Sequence, residues 1–380
     1  MDKFEEVRNL YPGLKNQVYL DTPTSGLLSS NSYEAMKCKL DKSHFEGLSL
    51  NEYWNEWNHS DHVRKKVAEM INASDEEIFF GKDASDMINA FVANIDFPSG
   101  SNVIIPDISF PSTRNAWLNR ECDGLKVRFV PNKARIVTTD EILSYIDEKT
   151  FAISICAVEP STGYAYDLDL LSKVCSEKNI FLVIDTTQGL GLMCYDMEKT
   201  RIDVMISSTY KWMNNVFGLG IGYIRKELLQ NLKPRHVGWT GIRDRKKDFS
   251  NLELTISETA SRFETGGLNW IGLAGVEESI KTYLNLGKED IQKYAMDMVQ
   301  YLYDEMAEVK HFKITPWLPK ENRSGIVYLE ISDKVSITGE EFAQRGIRVH
   351  VSGNKVRIGL HFYNSFEDVK KLITILKNYN

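Results

Sequence analysis

The sequence predicts an α/β protein with a large domain built on a mostly parallel sheet and a smaller α+β domain after it. Between residues 100 and 225, short apolar runs alternate with segments of helical period, which is typical of parallel strands joined by crossover helices. The length of 380 residues suggests two domains, because one domain usually has about 100–200 residues. We place the large domain at 15–270 and the small one at 271–380, with residues 1–14 packing against the small domain.

The elements follow from the apolar pattern along the chain. Strands are expected at Val18–Leu20, Ile78–Phe80, Asn102–Pro106, Phe151–Val158, Ile180–Ile184, Val204–Ser207, Gly220–Ile224, Gly325–Ile331, Arg348–Val351 and Val356–Leu360. Helices are expected from Asp61, at Ser85–Ile95, at Asp167–Lys178, as one long helix at Gly272–Val309, and at Glu367–Tyr379. The stretch from Pro234 to Asn269 has little period and is predicted to be a loop-built region.

Composition excludes several classes of protein. The chain has 46 basic and 53 acidic residues, a net charge of −7, 42% hydrophobic residues and 26% charged residues. This balance argues against a nucleic-acid coat or a polybasic membrane anchor. The start MDKFEEVRNLYPGLKN has no apolar core of a secretion signal, and no run of about 18 apolar residues occurs. The five cysteines are scattered and form no C-x-x-C pair, so we expect no metal site. They fit a protein of the reducing cytoplasm.

Two predicted strands end in unusual polar clusters. Asp185 emerges from the apolar run Leu182–Ile184, and Lys211 follows three hydroxyl residues at the end of the strand from Val204. Ligands of such sheets collect at the carboxyl ends of strands. A lysine held beside a carboxylate suits Schiff-base chemistry, in which the amine must lose its proton.

Each of these two residues also has a simpler interpretation. Lys211 alone is typical of a solvated surface lysine, and Asp185 alone could cap a helix that follows the strand. The pair, about 26 residues apart with a strand between, favours a site where Asp185 protonates the ring nitrogen of pyridoxal phosphate.

The residues around this pair resemble a known family. The runs VIDTTQG (183–189), SSTYKWM (207–213) and FGLGIGYIRKELL (217–229) are similar in order and spacing to class V aminotransferases, which are fold-type I pyridoxal-phosphate enzymes. That group includes cysteine desulfurases, isopenicillin N epimerase-like proteins and kynureninases. The resemblance extends from LDTPTSG (20–26) to the C-terminal helix.

The resemblance implies roles for residues on both sides of the cofactor. Lys211 is implied as the covalent attachment point and later the general base, Asp185 as the partner of the ring nitrogen, and Gln188 as the partner of the phenolic oxygen. Ser208 and Tyr210 match phosphate-side groups, although many relatives have His at the second position. Phe110, in the run Ser109–Ser112, matches the ring that stacks over the cofactor; plain core packing is the alternative.

The phosphate itself is implied to lie at the start of a helix and close to a second subunit. Gly81–Ser85 resembles the phosphate loop, with Ala84 where relatives often have Thr, so that Ser85 supplies the hydroxyl. Arg262–Asn269 resembles the E-x-G-T loop that reaches the partner subunit's phosphate, with Gly267 in place of Thr. We therefore expect a homodimer with sites near the subunit interface. Gly218–Gly222 is only a weak signal for a dinucleotide fingerprint, because it lies within or beside a strand and no helix opens there.

Arg357 lies in a stretch that resembles the R-x-x-x-x-x-Y-N-S run of kynureninases and epimerase-like members. There it is implied to bind the substrate α-carboxylate as a bidentate fork. The alternative is a strand arginine paired with a nearby acid. Arg348 and His350 lie near the position where desulfurases have a substrate-binding arginine.

The resemblance implies an enzyme that acts on an α-amino acid, but it leaves the reaction open. Desulfurases use a mobile cysteine just before the C-terminal strand, and residues 350–354 contain none, so persulfide transfer is disfavoured. The preferred interpretation is an aminotransferase or a related lyase. The alternatives are an amino-acid or peptide epimerase and a non-catalytic binding protein.

Overall fold

The computed structural model describes residues 2–232, 234–243 and 252–379. Its strands are β1 (Val18–Tyr19), β2 (Ile78–Gly81), β3 (Asn102–Pro106), β4 (Lys126–Val130), β5 (Thr150–Cys156), β6 (Phe181–Asp185), β7 (Val204–Ser208), β8 (Gly220–Ile224), β9 (Phe312–Ile314), β10 (Ile326–Ile331), β11 (Ile347–Arg348), β12 (His350–Ser352) and β13 (Lys355–Gly359). Its α-helices are α1 (Lys3–Arg8), α2 (Ser30–Phe45), α3 (Leu50–Ile71), α4 (Ala84–Val92), α5 (Pro111–Leu118), α6 (Thr139–Ser144), α7 (Leu168–Lys178), α8 (Lys226–Leu229), α9 (Trp270–Leu286), α10 (Lys288–Glu305), α11 (Gly339–Gln344) and α12 (Phe366–Lys377).

Seven strands form the central sheet in the order β2-β8-β7-β6-β5-β3-β4. All neighbours from β7 to β4 are parallel, and β8 is antiparallel to both of its neighbours. Alternate residues of β6 belong to different hydrophobic clusters: Leu182 and Ile184 to one, and Val183 to the other. The sheet is therefore buried on both faces, as expected for parallel strands covered by helices. This confirms the predicted α/β class.

The central strands lie within two residues of their predicted bounds, but β4 was not predicted. β4 is an edge strand, and most of its residues are partly or fully exposed. Its sequence KVRFV alternates charged and apolar residues, so it lacks the continuous apolar run that identifies a buried strand.

Three element predictions are wrong. The helix expected from Asp61 begins eleven residues earlier, at Leu50, as α3. The single helix expected at Gly272–Val309 is two helices, α9 and α10, because Gly287 between them has a φ of +83° that ends the first helix. The strand expected at Arg348–Val351 is divided between two sheets, since β11 pairs with β1 and β12 pairs with β13. The loop predicted at 234–269 lies partly outside the described residues, which omit 244–251.

The strands β12-β13-β10-β9 form a second, antiparallel sheet. Val327 and Leu329 of β10 and Val356 and Ile358 of β13 belong to a hydrophobic cluster that also contains residues of α10 and α12. The first residues of the chain also contact these helices: Phe4 stacks on Tyr294, with ring centroids 4.0 Å apart, and Arg8 pairs with Asp368 at 2.6 Å. The domain boundary at residue 270 stays a prediction.

A buried ion pair holds the loop that follows residue 263. Arg64 on α3 donates from Nη1 to Glu264 Oε1 at 2.8 Å and from Nη2 to Oε2 at 3.2 Å. The backbone N–H of Phe80 on β2 also donates to Oε1, at 2.9 Å. The Glu264 side chain has no exposed surface, so these hydrogen bonds replace the water that its oxygens lose on burial.

We expect Arg64→Met to lower the free energy of unfolding by about 3–5 kcal/mol, because it leaves a buried carboxylate unpaired. Urea unfolding of wild type and variant measures this difference. The matched control is Lys199→Met, which removes the exposed partner of Asp169 and should have a much smaller effect. If both variants lost the same free energy of unfolding, the buried ion pair would contribute no more to stability than the exposed one.

Candidate active site

A cavity of about 340 Å³ lies at the carboxyl ends of β5, β6 and β7, beside the start of α4. This is the edge at which ligands of parallel sheets collect. Eight of the residues that the sequence predicts for the site line this cavity: Ala84, Ser85, Phe110, Asp185, Gln188, Ser208, Tyr210 and Lys211.

Lys211 is buried, with 8% of its surface exposed, and so is not a solvated surface lysine. Burial lowers the pKa of its amine to about 8; the charge of Asp185 opposes this shift, and the charge of Arg357 adds to it. Its Nζ lies 5.7 Å from the ring centroid of Phe110. A lysine of this kind has a neutral, nucleophilic fraction near neutral pH that an exposed lysine lacks.

The loop that carries Lys211 is held by distant parts of the chain. The backbone N–H of Gly26 donates to Tyr210 O at 2.8 Å. A Cβ at position 26 would lie 2.0 Å from the Lys211 carbonyl oxygen, so this approach requires glycine. His361 Nε2 lies 2.9 Å from Trp212 O. Burial lowers the pKa of His361 to about 3, so the neutral ring donates this hydrogen bond.

Asp185 is the last residue of β6 and is 5% exposed. The backbone N–H of Thr187 donates to Asp185 Oδ1 at 2.9 Å. Burial raises the pKa of the carboxyl, while the hydrogen bonds of Thr187 and the charge of Lys211 lower it. In the described chain no α-helix begins between Asp185 and α8, so Asp185 is not a helix cap.

Hydroxyl groups and a helix start lie together at one end of the cavity. The N–H of Ala84 donates to Ser208 Oγ at 3.0 Å, which joins the start of α4 to the end of β7. Ser85 Oγ lies 2.6 Å from Ser112 Oγ. Tyr210 stacks on Phe217 with ring centroids 4.0 Å apart. Such a helix start with hydroxyls beside it suits a phosphate group.

Gln188 and Phe110 present polar and aromatic groups to the cavity. Gln188 accepts from Trp212 Nε1 at 2.8 Å and donates to Pro23 O at 3.1 Å, so one of its N–H groups is left for a ligand. The Phe110 residue is 46% exposed, which excludes the alternative of plain core packing.

Two predicted residues lie outside this cavity. Gly267 is exposed and is not among the residues of this chain that line it; its predicted contact is with a partner subunit. Arg357 lines an adjoining cavity of about 380 Å³. Its Nη2 lies 3.3 Å from Asp21 Oδ1 and contacts Thr24 Oγ1, so the alternative interpretation, pairing with a nearby acid, also describes it.

Sequence reasoning missed Cys156 and Glu159. Cys156 lines the cavity at the end of β5, opposite Asp185 in the register, and burial raises its pKa so that it remains a thiol. Glu159 is fully buried, and burial raises its pKa to about 7. Ser109 Oγ donates to Glu159 Oε1 at 2.7 Å, whereas Oε2 has no hydrogen-bond partner among the described residues. Cys156 is the last residue of β5, and Glu159 follows it three residues later. Their place at the end of an apolar run was a signal in the sequence, but the position of β5 beside β6 was not.

In the described ranges no helix has the length and apolar character needed to cross a bilayer. Over those same ranges, no group of three or more His, Cys, Asp or Glu side chains is placed to hold a metal ion.

Comparison with known proteins places the chain in a family. The family model for class V aminotransferases matches residues 18–372. A probable cysteine desulfurase of Methanothermobacter thermautotrophicus is 25% identical over 97% of this chain and 96% of its own length. An uncharacterised aminotransferase of Schizosaccharomyces pombe is 25% identical over 84% of this chain and 81% of its own length.

The fold also matches solved structures. A mutant of C-DES, an enzyme described as a cystine C–S lyase, has glycine covalently linked to its pyridoxal-phosphate cofactor. It superposes with a TM-score of 0.89 at 18% identity, covering 98% of this chain and 99% of its own. The chain therefore belongs to the class V aminotransferase family, which are fold-type I enzymes dependent on pyridoxal phosphate.

The residues present fit that cofactor. A buried amine of lowered pKa suits its aldehyde, and a buried carboxylate at the end of β6 suits its ring nitrogen. The hydroxyls at the start of α4 suit its phosphate, and the exposed ring of Phe110 suits stacking.

Proposed function

We propose that the protein is an amino-acid aminotransferase, and that it works as a cytoplasmic homodimer. The observation that carries this proposal is the buried Lys211 amine, whose pKa is lowered to about 8, in one cavity with Asp185 and Phe110. When bound, pyridoxal phosphate supplies a sink for the electron pair released at the substrate Cα. In the proposed dimer, the loop with Gly267 reaches the partner subunit's site.

The side chains of this chain then have defined tasks. Lys211 would take the proton from the substrate Cα and deliver it to the carbon of the cofactor's aldehyde group, because its neutral amine is a base in the cavity at moderate pH. Asp185 holds the proton on the cofactor's ring nitrogen. Ser85, Ser208 and the start of α4 hold the phosphate. Phe110 covers one face of the ring and excludes water from it.

The geometry favours proton transfer over sulfur transfer. Transamination needs one base that moves a proton, and Lys211 supplies it. Persulfide formation needs a reactive thiolate, but residues 350–354 contain no cysteine. Cys156, which lines the cavity, has a pKa raised well above its usual value by burial and by the charges of Glu159 and Asp185.

A lyase that breaks a bond at Cβ is the second candidate. It is supported by the relatives named cysteine desulfurase and by the fold shared with a cystine C–S lyase. Such a reaction uses the same amine and carboxylate and releases a side-chain fragment, so it needs no mobile cysteine.

Product analysis of the cofactor-loaded protein separates these reactions. The protein is incubated with each common amino acid, with and without pyruvate or 2-oxoglutarate, and the products are identified by mass spectrometry. We expect a keto acid that forms only when the acceptor is present, together with the amino acid made from that acceptor. A keto acid with ammonia but no acceptor would indicate a lyase, and an inverted stereocentre an epimerase. If the protein transformed none of the amino acids tested, the proposal would be overturned.

A further inference from the structure

The second cavity, which Arg357 lines, is built on one face of the small sheet. The register places Tyr328 and His350 on either side of Arg357, in one row across β10, β13 and β12. Lys355 shares this face, because alternate residues of a strand point the same way. The opposite face packs into the hydrophobic cluster with α10 and α12. The polar face is therefore free to border a cavity.

Arg135 also lines this cavity, and its guanidinium lies 5.3 Å from the ring centroid of Tyr328. It lies in a tight turn between Lys133 and Ile136, in which Ala134 and Arg135 have φ values of +49° and +70°. Left-handed backbone is costly for residues with a Cβ and is often found at functional sites. Arg135 donates to the carbonyl oxygens of Ser161, at 2.6 Å, and Thr315, at 3.2 Å. These bonds leave three of its five N–H groups for a ligand.

The cavity has an excess of positive charge. Arg135, Lys355 and Arg357 line it, and none of its described lining residues is Asp or Glu. Two acids lie close by: Asp21 pairs with Arg357, and Glu330 faces Lys355 in the register. Arg357 Nε is buried and has no hydrogen-bond partner among the described residues. A buried donor left unpaired is costly, so an acceptor from a ligand would complete the site.

The two cavities meet at one short segment. Pro160 lines the first cavity and Ser161 lines the second. Tyr328 fixes this segment by donating from its hydroxyl to Pro160 O at 2.8 Å. A substrate with its reacting carbon near Lys211 can therefore extend along Arg357 toward Arg135.

We propose that the second cavity binds an anionic group at the end of the substrate's side chain, so that the substrate is an acidic α-amino acid. Arg357, at the junction, binds the α-carboxylate, and Arg135 and Lys355 bind the side-chain acid. This inference rests on the proposed action on an amino acid and names the class of that amino acid.

Turnover of isosteric pairs tests the inference. We compare kcat/KM for aspartate with asparagine and for glutamate with glutamine, in wild type, Arg135→Gln and the control Lys173→Gln on the exposed side of α7. Wild type and control should favour the acid of at least one pair by tenfold or more. Arg135→Gln should reduce that preference by about 10–100-fold. Arg135 forms a charged hydrogen bond with the side-chain carboxylate of the acid and only a weaker one with the neutral amide, so its loss affects the acid more.

Equal kcat/KM for acids and amides, or an equal loss for both in Arg135→Gln, would overturn the inference and leave the aminotransferase proposal intact. Phosphate that stimulates turnover of the amides in wild type but not in Arg135→Gln would also overturn it, since a free anion would then fill the cavity. If the protein transformed no amino acid, the proposed function itself would be wrong. Calorimetric titration of the cofactor-loaded protein with succinate and glutarate tests the inference independently of turnover. Binding that weakens at least tenfold in Arg135→Gln supports the inference, and absence of binding to wild type refutes it.

Discussion

Lys211→Ala is expected to lower turnover by about 10⁴-fold or more, because it removes the nucleophile and the general base together. The variant should still bind pyridoxal phosphate without a covalent link, since Asp185, Ser208 and the start of α4 remain. Steady-state rates and the absorbance spectrum of the purified variant measure the two effects. The matched control is Lys82→Ala, an exposed lysine at the rim of the same cavity. It should keep covalent attachment, even if the cofactor dissociates more readily.

The lowered pKa of Lys211 adds a pH dependence to this result. Only the neutral amine attacks the cofactor's aldehyde, and its pKa in the folded protein is about 8. The rate of covalent attachment to cofactor-free protein should therefore rise about tenfold per pH unit below pH 8 and level off above it. A rate that keeps rising to pH 10 would mean that the amine has the pKa of an exposed lysine.

Asp185→Asn is expected to lower kcat by about 10²–10³-fold, in the range found when one preorganised electrostatic group is removed. Asparagine has the same shape and can still accept from the N–H of Thr187, so the variant should fold. It cannot hold a proton on the ring nitrogen as a carboxylate does. The absorbance of the bound cofactor should shift as well, which a purely structural effect would not produce.

The control for this variant is Asp203→Asn. Asp203 is also buried, but it lies just before β7, at the opposite end of the sheet, where it pairs with Arg225 and accepts from the N–H of Leu182. We expect it to lose stability and to keep normal kcat and absorbance. If the two asparagine variants had the same kcat, Asp185 would have no special electrostatic role.

The central sheet was predictable because its strands are buried on both faces and so appear as continuous apolar runs. The edge strand β4 has no such run, and its charged residues concealed it. The break at Gly287 was missed because helical periodicity continues through it, and only the positive φ of the glycine shows that the chain turns.

The first cavity was largely predictable, because Asp185 ends β6 and Lys211 follows β7, and these strands are neighbours in both sequence and space. Cys156 and Glu159 depend on which strand lies beside β6, and a single sequence does not give strand order. The sequence alone also did not indicate Arg135 as a site residue. It lines one cavity with Arg357 although the two residues are more than 200 positions apart, and nothing in its local sequence indicates a ligand-binding residue.

The most direct measurement for this protein is the location of its covalent link to pyridoxal phosphate. The cofactor-loaded protein is reduced with borohydride, digested and sequenced by mass spectrometry. We expect the reduced cofactor on the side chain of Lys211, and no link at Lys82. Attachment at any other lysine, or no attachment to the folded protein, would contradict the assignment of this cavity as the active site.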